Sequence, residues 1–523
     1  MLQDSVIYNW ICGLCSFLGK YIRQSMTAQM LFKCGRAMKA AFNGSSIASF
    51  IRRDGVTNRT PEDSLIYKLL DWLLHLPAYL FQGIYLKLKP VLKNSVLLRL
   101  LSYLLDQLHI LIALFLAFAL VVRHANWNNK YTTIAVLAFF ILFLVKTVRD
   151  GGKGRYMKGM DAFLLLFAIC IAASLIFSIS PSNGLERAAF YFTDILLVFL
   201  LIVSIKTKEQ IMAVLKVLLV ALSVCGLYGL YQGIVGVPVK PSEVDLLLNE
   251  GMPGRIFSTM GNSNNFGEIL VILLPFYMAV IFNSRSPLTK LFFMALAMPP
   301  LVALGMTYFR TGWIGLAAAV FVFVFFKDIR LIPFLLLLGA LMIPFLPNSI
   351  YKRILTIFNP EDTSASFRIE IYQTMLPVLK DYWVTGLGLG HETIQKVVRN
   401  YYLFTGTTIP IHSHNVYLQV WIEMGIAGFL SLLAFLASVI KRSIKTIYSS
   451  IDSQMKNILI AGLASLSGFL VISLAEYAWF YPRTMLFFWV LIGIMLAALN
   501  IARVEGGNKE MAAESSGVED AAA

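Results

Sequence analysis

Long apolar runs recur along this chain and constrain its fold more than any other feature. Stretches of about 18 residues or more, each able to cross a hydrocarbon core of about 30 Å, alternate with polar segments. Only 14% of the residues are charged, whereas soluble domains carry about a quarter. Lipid offers no hydrogen-bond partners to the backbone, and the alternating pattern of barrel strands is absent from the sequence, so the spans must be helices. The sequence therefore predicts an all-α polytopic membrane protein.

The apolar runs predict about twelve transmembrane helices, with a large polar loop between the ninth and the tenth. Their approximate ranges are 103–122, 131–148, 161–180, 188–205, 211–235, 265–282, 289–308, 311–326, 330–347, 417–440, 457–477 and 484–502. The gap at Phe309-Arg310-Thr311 is so short that the runs on either side of it can also belong to one interrupted segment.

Lysine and arginine are distributed unevenly among the loops, and this bias sets the orientation of a membrane protein. They fall on every second loop, at Arg149, Lys153, Arg155, Lys158, Lys206, Lys208, Arg285, Lys290, Lys327, Arg330, Lys441, Arg442 and Lys445. The first hundred residues add thirteen basic against five acidic side chains. We therefore predict that these loops and both termini are cytoplasmic. The bias also explains the net charge of +15, so we expect no nucleic-acid partner.

Three regions follow from this pattern. Residues 1–100 mix apolar and basic residues at helical spacing, which is typical of helices on an anionic membrane surface, and predict a membrane-associated cytoplasmic extension. Residues 101–503 form the transmembrane domain. Residues 504–523 are small and polar, which predicts a disordered tail.

The polar loop at 348–416 is the segment in which we expect chemistry, because long loops on a rigid scaffold commonly carry function. By the loop count it is extracytoplasmic. Within it, the glycine-rich segment 386–390 follows no strand, so it does not indicate a nucleotide site and predicts a tight turn beneath His391.

His414 ends this loop just before the span that begins near Tyr417. A histidine accepts a proton near neutral pH, so His414 is our candidate for a base that activates a hydroxyl, with a capping or interface role as the alternative. His412 and Asn415 are secondary candidates. A zinc site needs three or four ligands, and the neighbours offer no cysteine and no acidic residue before Glu423, so we expect no metal.

Three arginines, Arg255, Arg310 and Arg368, come to the same outer side by the loop count. Guanidinium groups bind phosphate oxygens in bidentate fashion and stay charged at every working pH. A short helix over 364–376 places Arg368 and Tyr372 on one face. The alternatives are a surface ion pair for Arg368 and snorkelling to the interface for Arg310.

Three carboxylates, Asp194, Glu268 and Glu476, are predicted at the outward-facing ends of spans. Ionisable residues within spans are candidates for function, although partial hydration at the interface is an equal alternative. Arginines and a histidine on one outer face favour a lipid-linked diphosphate substrate. Its phosphates need cations, its polyprenyl tail needs the bilayer, and arginines can stabilise the charge of a leaving diphosphate without a metal.

At these residues the chain resembles the O-antigen ligase and polymerase family, which are membrane glycosyltransferases of the C type. The resemblance covers about residues 130–500. The matching elements are Arg255 followed by Asn262-Ser263-Asn264, Arg310 in Phe-Arg-Thr-Gly, Arg368 ahead of the glycines of 386–390, and His414-Asn415-Val-Tyr417-Leu-Gln-Val-Trp-Ile-Glu423-Met-Gly425-Ile-Ala-Gly428. One position departs from the pattern, since Phe309 precedes Arg310 where family members often carry a small residue such as serine.

The resemblance implies inverting transfer of a glycan from undecaprenyl diphosphate to an acceptor hydroxyl, without metal or cofactor, at the outer face of a bacterial cytoplasmic membrane. Arg310 and Arg368 would bind the diphosphate, Arg255 would line the donor site, and His414 would activate the acceptor. The acceptor can be a lipid, a glycan or a protein, so ligase and polymerase both fit. The alternative is a polysaccharide or lipid-linked oligosaccharide transporter, which predicts charges along a path through the spans and an internal repeat.

Overall fold

A computed structural model describes residues 25–45, 64–92, 95–152, 156–239, 253–356, 363–401, 409–449 and 452–520. These residues form helices joined by turns and loops. The first nine are α1 (Met26–Asn43), α2 (Leu65–Leu92), α3 (Val96–Asp106), α4 (Leu108–Val121), α5 (Lys130–Asp150), α6 (Ala162–Ile176), α7 (Pro181–Ser204), α8 (Lys208–Val235) and α9 (Ser263–Asn283). The others are α10 (Pro287–Met306), α11 (Arg310–Asp328), α12 (Ile332–Met342), α13 (Asn348–Leu355), α14 (Thr363–Tyr382), α15 (His391–Val398), α16 (Val416–Tyr448), α17 (Ser453–Ile472) and α18 (Pro482–Asp520).

Within the described ranges, eight helices are long and apolar enough to cross a membrane, namely α5, α7, α8, α9, α10, α16, α17 and α18. Two sharply bent pairs raise the number to ten at most: α3 meets α4 at 72°, and the segment Arg310–Phe345 meets α13 at 117°. The apolar helix α6 has only 15 residues. The polytopic all-α membrane fold is thus confirmed, while the count of twelve spans stays a prediction.

The chain turns back at the 3₁₀ segment Ile329–Leu331, between α11 and α12. At one end of α11, the Lys327 Nζ donates a hydrogen bond to Asn457 Oδ1 at 2.7 Å, near the start of α17. At the other end, the Tyr308 hydroxyl lies 3.0 Å from that of Ser349. Residues 329–348 must therefore run back along the bundle, and they form a hairpin with α11.

The centre of the bundle is built from helices that are apolar on every side. Each hydrophobic side chain from Met485 to Ala498 in α18 is fully buried, which is typical of a helix enclosed by other helices. Helix α17 packs closely on α11, because a Cβ at Gly315 would lie 2.9 Å from the Gly468 carbonyl oxygen. Small residues allow such backbone approach between membrane helices.

The N-terminal helices dock on the end of the bundle that carries Lys327, which we call the Lys327 end. The Tyr67 hydroxyl donates to the Met160 carbonyl at 3.0 Å, and an Asp71 carboxylate oxygen accepts from the Met157 N–H at 3.0 Å. At the other terminus, α18 continues to Asp520 through residues for which the sequence predicted a disordered tail. Glutamate, which favours helix, recurs in that stretch at Glu505, Glu510, Glu514 and Glu519.

Helix α16 is broken at Gly425, whose φ of 67° and ψ of −173° are not helical. The carbonyls released by the break bind the extended segment 386–388: the Leu387 and Gly388 N–H groups donate to Ile422 and Glu423 at 2.8 and 3.0 Å. The glycine-rich segment predicted as a tight turn does end at His391, where α15 begins. Its glycines allow the backbone of this segment to pack closely against the break in α16.

Replacing Gly425 with alanine should destabilise the protein. A Cβ there would lie 2.0 Å from the Val384 carbonyl oxygen, and the positive φ adds strain of about 1–3 kcal/mol. The matched control is Gly339→Ala, because a Cβ at this position in α12 meets nothing within 4 Å. Thermal unfolding of the purified variants should show a lowered Tm for Gly425→Ala only. Equal Tm values would contradict this account of the break.

Candidate active site

A buried carboxylate, Glu476, joins several of the predicted site residues. It follows α17 and is only 6% exposed. Its Oε1 accepts a hydrogen bond from Arg368 Nη2 at 2.5 Å, and its Oε2 lies 3.6 Å from His414 Nδ1. The second distance is an ion-pair contact slightly too long for a hydrogen bond. Arginine, carboxylate and histidine thus form one connected group, which we call the Glu476 cluster.

The electrostatics of Glu476 keep it ionised. Burial alone would raise the pKa of its carboxyl, but the charge of Arg368 and the contacts with His414 outweigh burial and lower the pKa to about 2. An opposite charge within about 4–6 Å has this effect on a carboxyl. The cluster therefore holds a permanent negative charge between two basic side chains.

Helix α14 supplies Arg368 and Tyr372 from one face, as their spacing predicts. The Arg368 Nε donates to the Ala475 carbonyl at 2.9 Å, and the Tyr372 hydroxyl donates to the Leu474 carbonyl at 3.1 Å. The same hydroxyl lies 3.3 Å from the His414 carbonyl. Burial raises the pKa of Tyr372, so its hydroxyl stays a donor. Both side chains fasten α14 to the loop that carries Glu476.

His414 has a left-handed backbone, with φ of 49°. Its loop is fixed by Gln419, whose Oε1 accepts from the Ser413 N–H at 2.8 Å and whose Nε2 donates to Glu423 at 2.9 Å. Asn415 caps α16 by accepting from the Leu418 N–H at 2.9 Å, and its Nδ2 donates to the Leu474 carbonyl at 3.0 Å. The surroundings therefore impose the conformation that directs the His414 ring at Glu476.

Backbone strain of this kind occurs at three non-glycine residues of the described chain: Ser258, Tyr308 and His414. Ser258 follows Arg255 by three positions, and Tyr308 precedes Arg310 by two. Non-glycine residues with positive φ cost of order 1–3 kcal/mol each and cluster at functional sites. Here they mark the segments that carry the predicted site residues.

Arg255 reaches the Glu476 cluster through Asn264. The Arg255 Nη2 donates to Asn264 Oδ1, and the Asn264 Nδ2 donates to Glu476 Oε1 at 3.4 Å. The Arg255 Nε also donates to the Thr307 carbonyl at 2.8 Å, three residues before Arg310. The structure thus brings Arg255, Arg368 and His414 together around one carboxylate.

Arg310 is the first residue of α11, three residues after Thr307, whose carbonyl binds Arg255. Its Nη1 donates to the carbonyl and hydroxyl oxygens of Thr356 at 3.1 and 2.9 Å. The unusual Phe309 is 2% exposed, and its ring fills space left by Gly267 and Gly312, where a Cβ would lie within 2.5 Å of Phe309 Cδ1. Two glycines therefore accommodate the phenyl ring without displacing Arg310 from the start of its helix.

His412 packs against the ring of His414, with ring centroids 4.2 Å apart, and also against Phe480 at 4.7 Å. Its Nδ1 accepts from the His414 N–H at 3.3 Å. Burial, assisted by the neighbouring His414, lowers the pKa of His412 to about 3. The two histidines differ accordingly: His412 is neutral at physiological pH, and His414 faces a carboxylate.

Acidification should destabilise the fold through His412. The pKa of this ring is about 3 in the folded protein and 6.5 ordinarily, so the stability it contributes is present above pH 6.5 and is lost as pH falls toward 3. We expect Tm to fall from pH 6.5 to 4.5, and to fall less in His412→Gln. The exposed His391→Gln variant is the matched control. A slope unchanged by His412→Gln would contradict the prediction.

The two predicted secondary carboxylates, Glu268 and Asp194, differ in their relation to the Glu476 cluster. Glu268 is 2% exposed near the start of α9 and lies within electrostatic range of Glu476. Asp194 is 3% exposed in the second half of α7, and its neighbour Thr193 bonds to Thr133. Within the described residues, the contacts that join the cluster do not include Asp194. Its expected place at a helix end is therefore wrong, because α7 begins earlier, at Pro181, than the apolar run indicated.

Sequence reasoning gave Asn264, Gln419 and Glu423 no role of their own, and it named Glu476 only as one of three candidate carboxylates. Glu476 had one usable signal, namely an acidic residue at the outward end of a span. Gln419 and Glu423 share one face of α16 at a spacing of four residues. Their partners lie far away in sequence, so spacing alone could not assign their contacts.

Comparison with known proteins finds a family match in the second half of the chain. Residues 291–433 match the sequence pattern of the family described as O-Antigen ligase. Over this stretch the chain is similar to the O-antigen ligase family. The matched stretch includes Arg310, Arg368 and His414, whereas Arg255 and Glu476 lie outside it.

A curated relative extends the similarity beyond that stretch. The Teichuronic acid biosynthesis protein TuaE of Bacillus subtilis (strain 168) is 23% identical over 411 residues, which cover 72% of this chain and 82% of the relative. The predicted resemblance to O-antigen ligases and polymerases is thus confirmed. The apolar helices and this similarity together describe a polytopic membrane protein that resembles the O-antigen ligases.

Proposed function

We propose that this chain, like the O-antigen ligases it resembles, transfers a glycan from undecaprenyl diphosphate to an acceptor hydroxyl, with inversion and without a metal. The observation that carries the proposal is the contact of Glu476 with both Arg368 and His414. One carboxylate thus contacts both a permanent cation, Arg368, and a candidate base, His414. The cation suits an anionic leaving group, and the base suits a hydroxyl nucleophile.

In the proposed reaction, the acceptor hydroxyl loses its proton to His414 as its oxygen bonds to the anomeric carbon of the glycan. The bond from that carbon to the diphosphate oxygen breaks, and its electron pair leaves with the diphosphate. A single displacement inverts the anomeric configuration. His414 Nδ1 faces Glu476, so Nε2 is the ring nitrogen that accepts the proton.

Each positive side chain has a task in this proposal. Arg310 and Arg368 bind the diphosphate and stabilise the charge that grows on it, and Arg255 lines the donor site beside Asn264. Glu476 is a positioning residue, because it orients the His414 ring and stabilises the imidazolium that forms. His412 and Tyr372 support the loop that carries His414.

We further propose that the Glu476 cluster faces the outside of a bacterial cytoplasmic membrane and that both termini are cytoplasmic. The support is the grouping of basic loops at the Lys327 end, since an excess of lysine and arginine favours the cytoplasmic side. Lys208 there pairs with Asp452 at 3.3 Å, and Arg442 pairs with Asp161 at 3.2 Å.

Cysteine labelling in intact cells tests this orientation. Ser366 is exposed on α14, whereas Ser413 is fully buried and therefore unsuitable as a labelling position. In a background without native cysteines, an impermeant thiol reagent should label Ser366→Cys and Ser182→Cys. It should not label Ser286→Cys, which is exposed near the Lys327 end. The reverse pattern would overturn the orientation and the lipid-linked donor with it.

Arg368→Ala should abolish most transfer from an undecaprenyl-diphosphate glycan by the purified protein. Loss of one donor to a developing anion lowers kcat about 10²–10³-fold. Lys380→Ala is the matched control, because Lys380 is exposed on the same helix α14. Release of undecaprenyl diphosphate and appearance of the elongated acceptor are measured together. Normal release and transfer by Arg368→Ala would overturn the proposed donor site.

A further inference from the structure

A second cluster of cations lies at the Lys327 end of the bundle, so it is at the opposite end of α11 from Arg310. An open cavity there is lined by Lys39 of α1, by Lys327 and Arg330 at the turn of the hairpin, and by Lys456 of α17. The aromatic rings of Phe326 and Tyr448 complete its wall, with centroids 6.3 Å apart. We call it the lysine cavity.

The described residues that line the lysine cavity carry four positive charges and one negative charge. In the described part of the chain, the lining contains one carboxylate, Asp328, and Arg330 binds both of its oxygens at 2.7–3.1 Å. The Lys327 ammonium instead binds the neutral amide oxygen of Asn457 and lies 4.4 Å from the centroid of the Phe282 ring. Like charges gathered without counter-ions repel one another, and a bound anion relieves that repulsion.

The position of Lys39 in the cavity depends on close packing of α1. Gly35 rests against the backbone of Arg330, where a Cβ would come within 2.5 Å of the Arg330 Cα, and Phe32 stacks on Phe334 with ring centroids 5.0 Å apart. Helix α1 therefore contributes a wall of the cavity through a fitted contact with the hairpin turn.

Apolar surface leads away from the cavity along the hairpin. Leu336, Leu338 and Leu341 of α12 are 65%, 56% and 56% exposed. In a membrane such side chains face acyl chains, so the cavity opens beside hydrocarbon at the level of the headgroups. A ligand that fits both features has an anionic phosphate head and an apolar tail.

We propose that the lysine cavity binds the phosphate headgroup of an anionic phospholipid, whose acyl chains lie along α12. Lys39, Lys327 and Lys456 contact the phosphate oxygens, and Phe326 and Tyr448 contact the glycerol and the first methylenes. The site lies at the end of the bundle opposite the Glu476 cluster, and it does not depend on the transfer reaction.

Lipid binding to the purified full-length protein tests this site. Native mass spectrometry compares phosphatidylglycerol with phosphatidylcholine of the same acyl chains, for the wild type and for Lys327→Gln/Lys456→Gln. Glutamine retains a donor for Asn457, so the fold is expected to survive. Each cation near an anionic lipid contributes about fivefold in affinity, so the double variant should bind phosphatidylglycerol about tenfold or more weakly.

The matched control is Arg285→Gln/Lys290→Gln, which removes two exposed charges from the same end outside the cavity. It should bind phosphatidylglycerol as the wild type does, and phosphatidylcholine binding should be weak and equal in all three proteins. Equal losses in both double variants would show a diffuse charge effect and overturn the site. Displacement of the lipid by equimolar inorganic phosphate would also overturn it, because the ligand would then be a free phosphate group.

Discussion

His414→Ala should lower kcat for glycan transfer about 10²–10⁴-fold, the range that a positioned general base contributes. The binding of the donor should change little, because the arginines are untouched and the loop is held by Gln419 and Asn415. Single-turnover kinetics with a lipid-linked glycan separate the two effects. The expected signature is a normal donor affinity with a slow chemical step.

His391→Ala is the matched control for that experiment. This histidine is exposed at the start of α15, and its ring centroid lies 6.1 Å from that of Phe480. We expect its removal to leave kcat nearly unchanged. A His414→Ala protein as active as His391→Ala would exclude His414 as the base, and it would leave the diphosphate assignment of Arg368 to be judged by its own variant.

Glu476→Gln should have the largest effect on stability as well as a large effect on rate. Removing one partner of a buried ion pair costs about 3–5 kcal/mol, since the other charge is left without compensation. Arg368 and His414 both lose their counter-ion, so Tm should fall and the His414 ring should lose its orientation. Glu392→Gln, an exposed change on α15, is the control.

A double variant distinguishes this pairing from a general packing defect. If Glu476 acts through Arg368, the loss of stability in Glu476→Gln/Arg368→Gln should be clearly smaller than the sum of the single losses. Additive losses would contradict the pair. Glu476→Asp, which keeps the charge, should recover part of both the stability and the rate.

Much of this architecture could be predicted from the sequence, because the bilayer imposes a simple rule on apolar length. The periodicity that places Arg368 beside Tyr372 is local, and the structure has both residues on one face. The position of His414 just before a span followed from the same apolar pattern. Features that depend on neighbouring residues along one helix were within reach of sequence reasoning.

Contacts between segments that are far apart in the sequence could not be predicted. Glu476 and Arg368 are 108 positions apart in the sequence, and no pattern in either segment indicates that the two side chains are in contact. The break of α16 at Gly425 could not be predicted, because glycine is common in membrane helices. The requirement for glycine at this position comes from the close approach of the Val384 backbone. The fit of Phe309 beside Arg310 could not be predicted either, because it depends on two glycines of different helices, Gly267 and Gly312, that lie against its ring.

The carboxylate shared by Arg368 and His414 links the two halves of the proposed reaction. A diphosphate that binds Arg368 competes with Glu476 for the same guanidinium, while Glu476 keeps its contact with the His414 ring. Arrival of the donor therefore changes the surroundings of the side chain that orients the base. An enzyme built in this way ties the position of its base to the presence of a glycan donor.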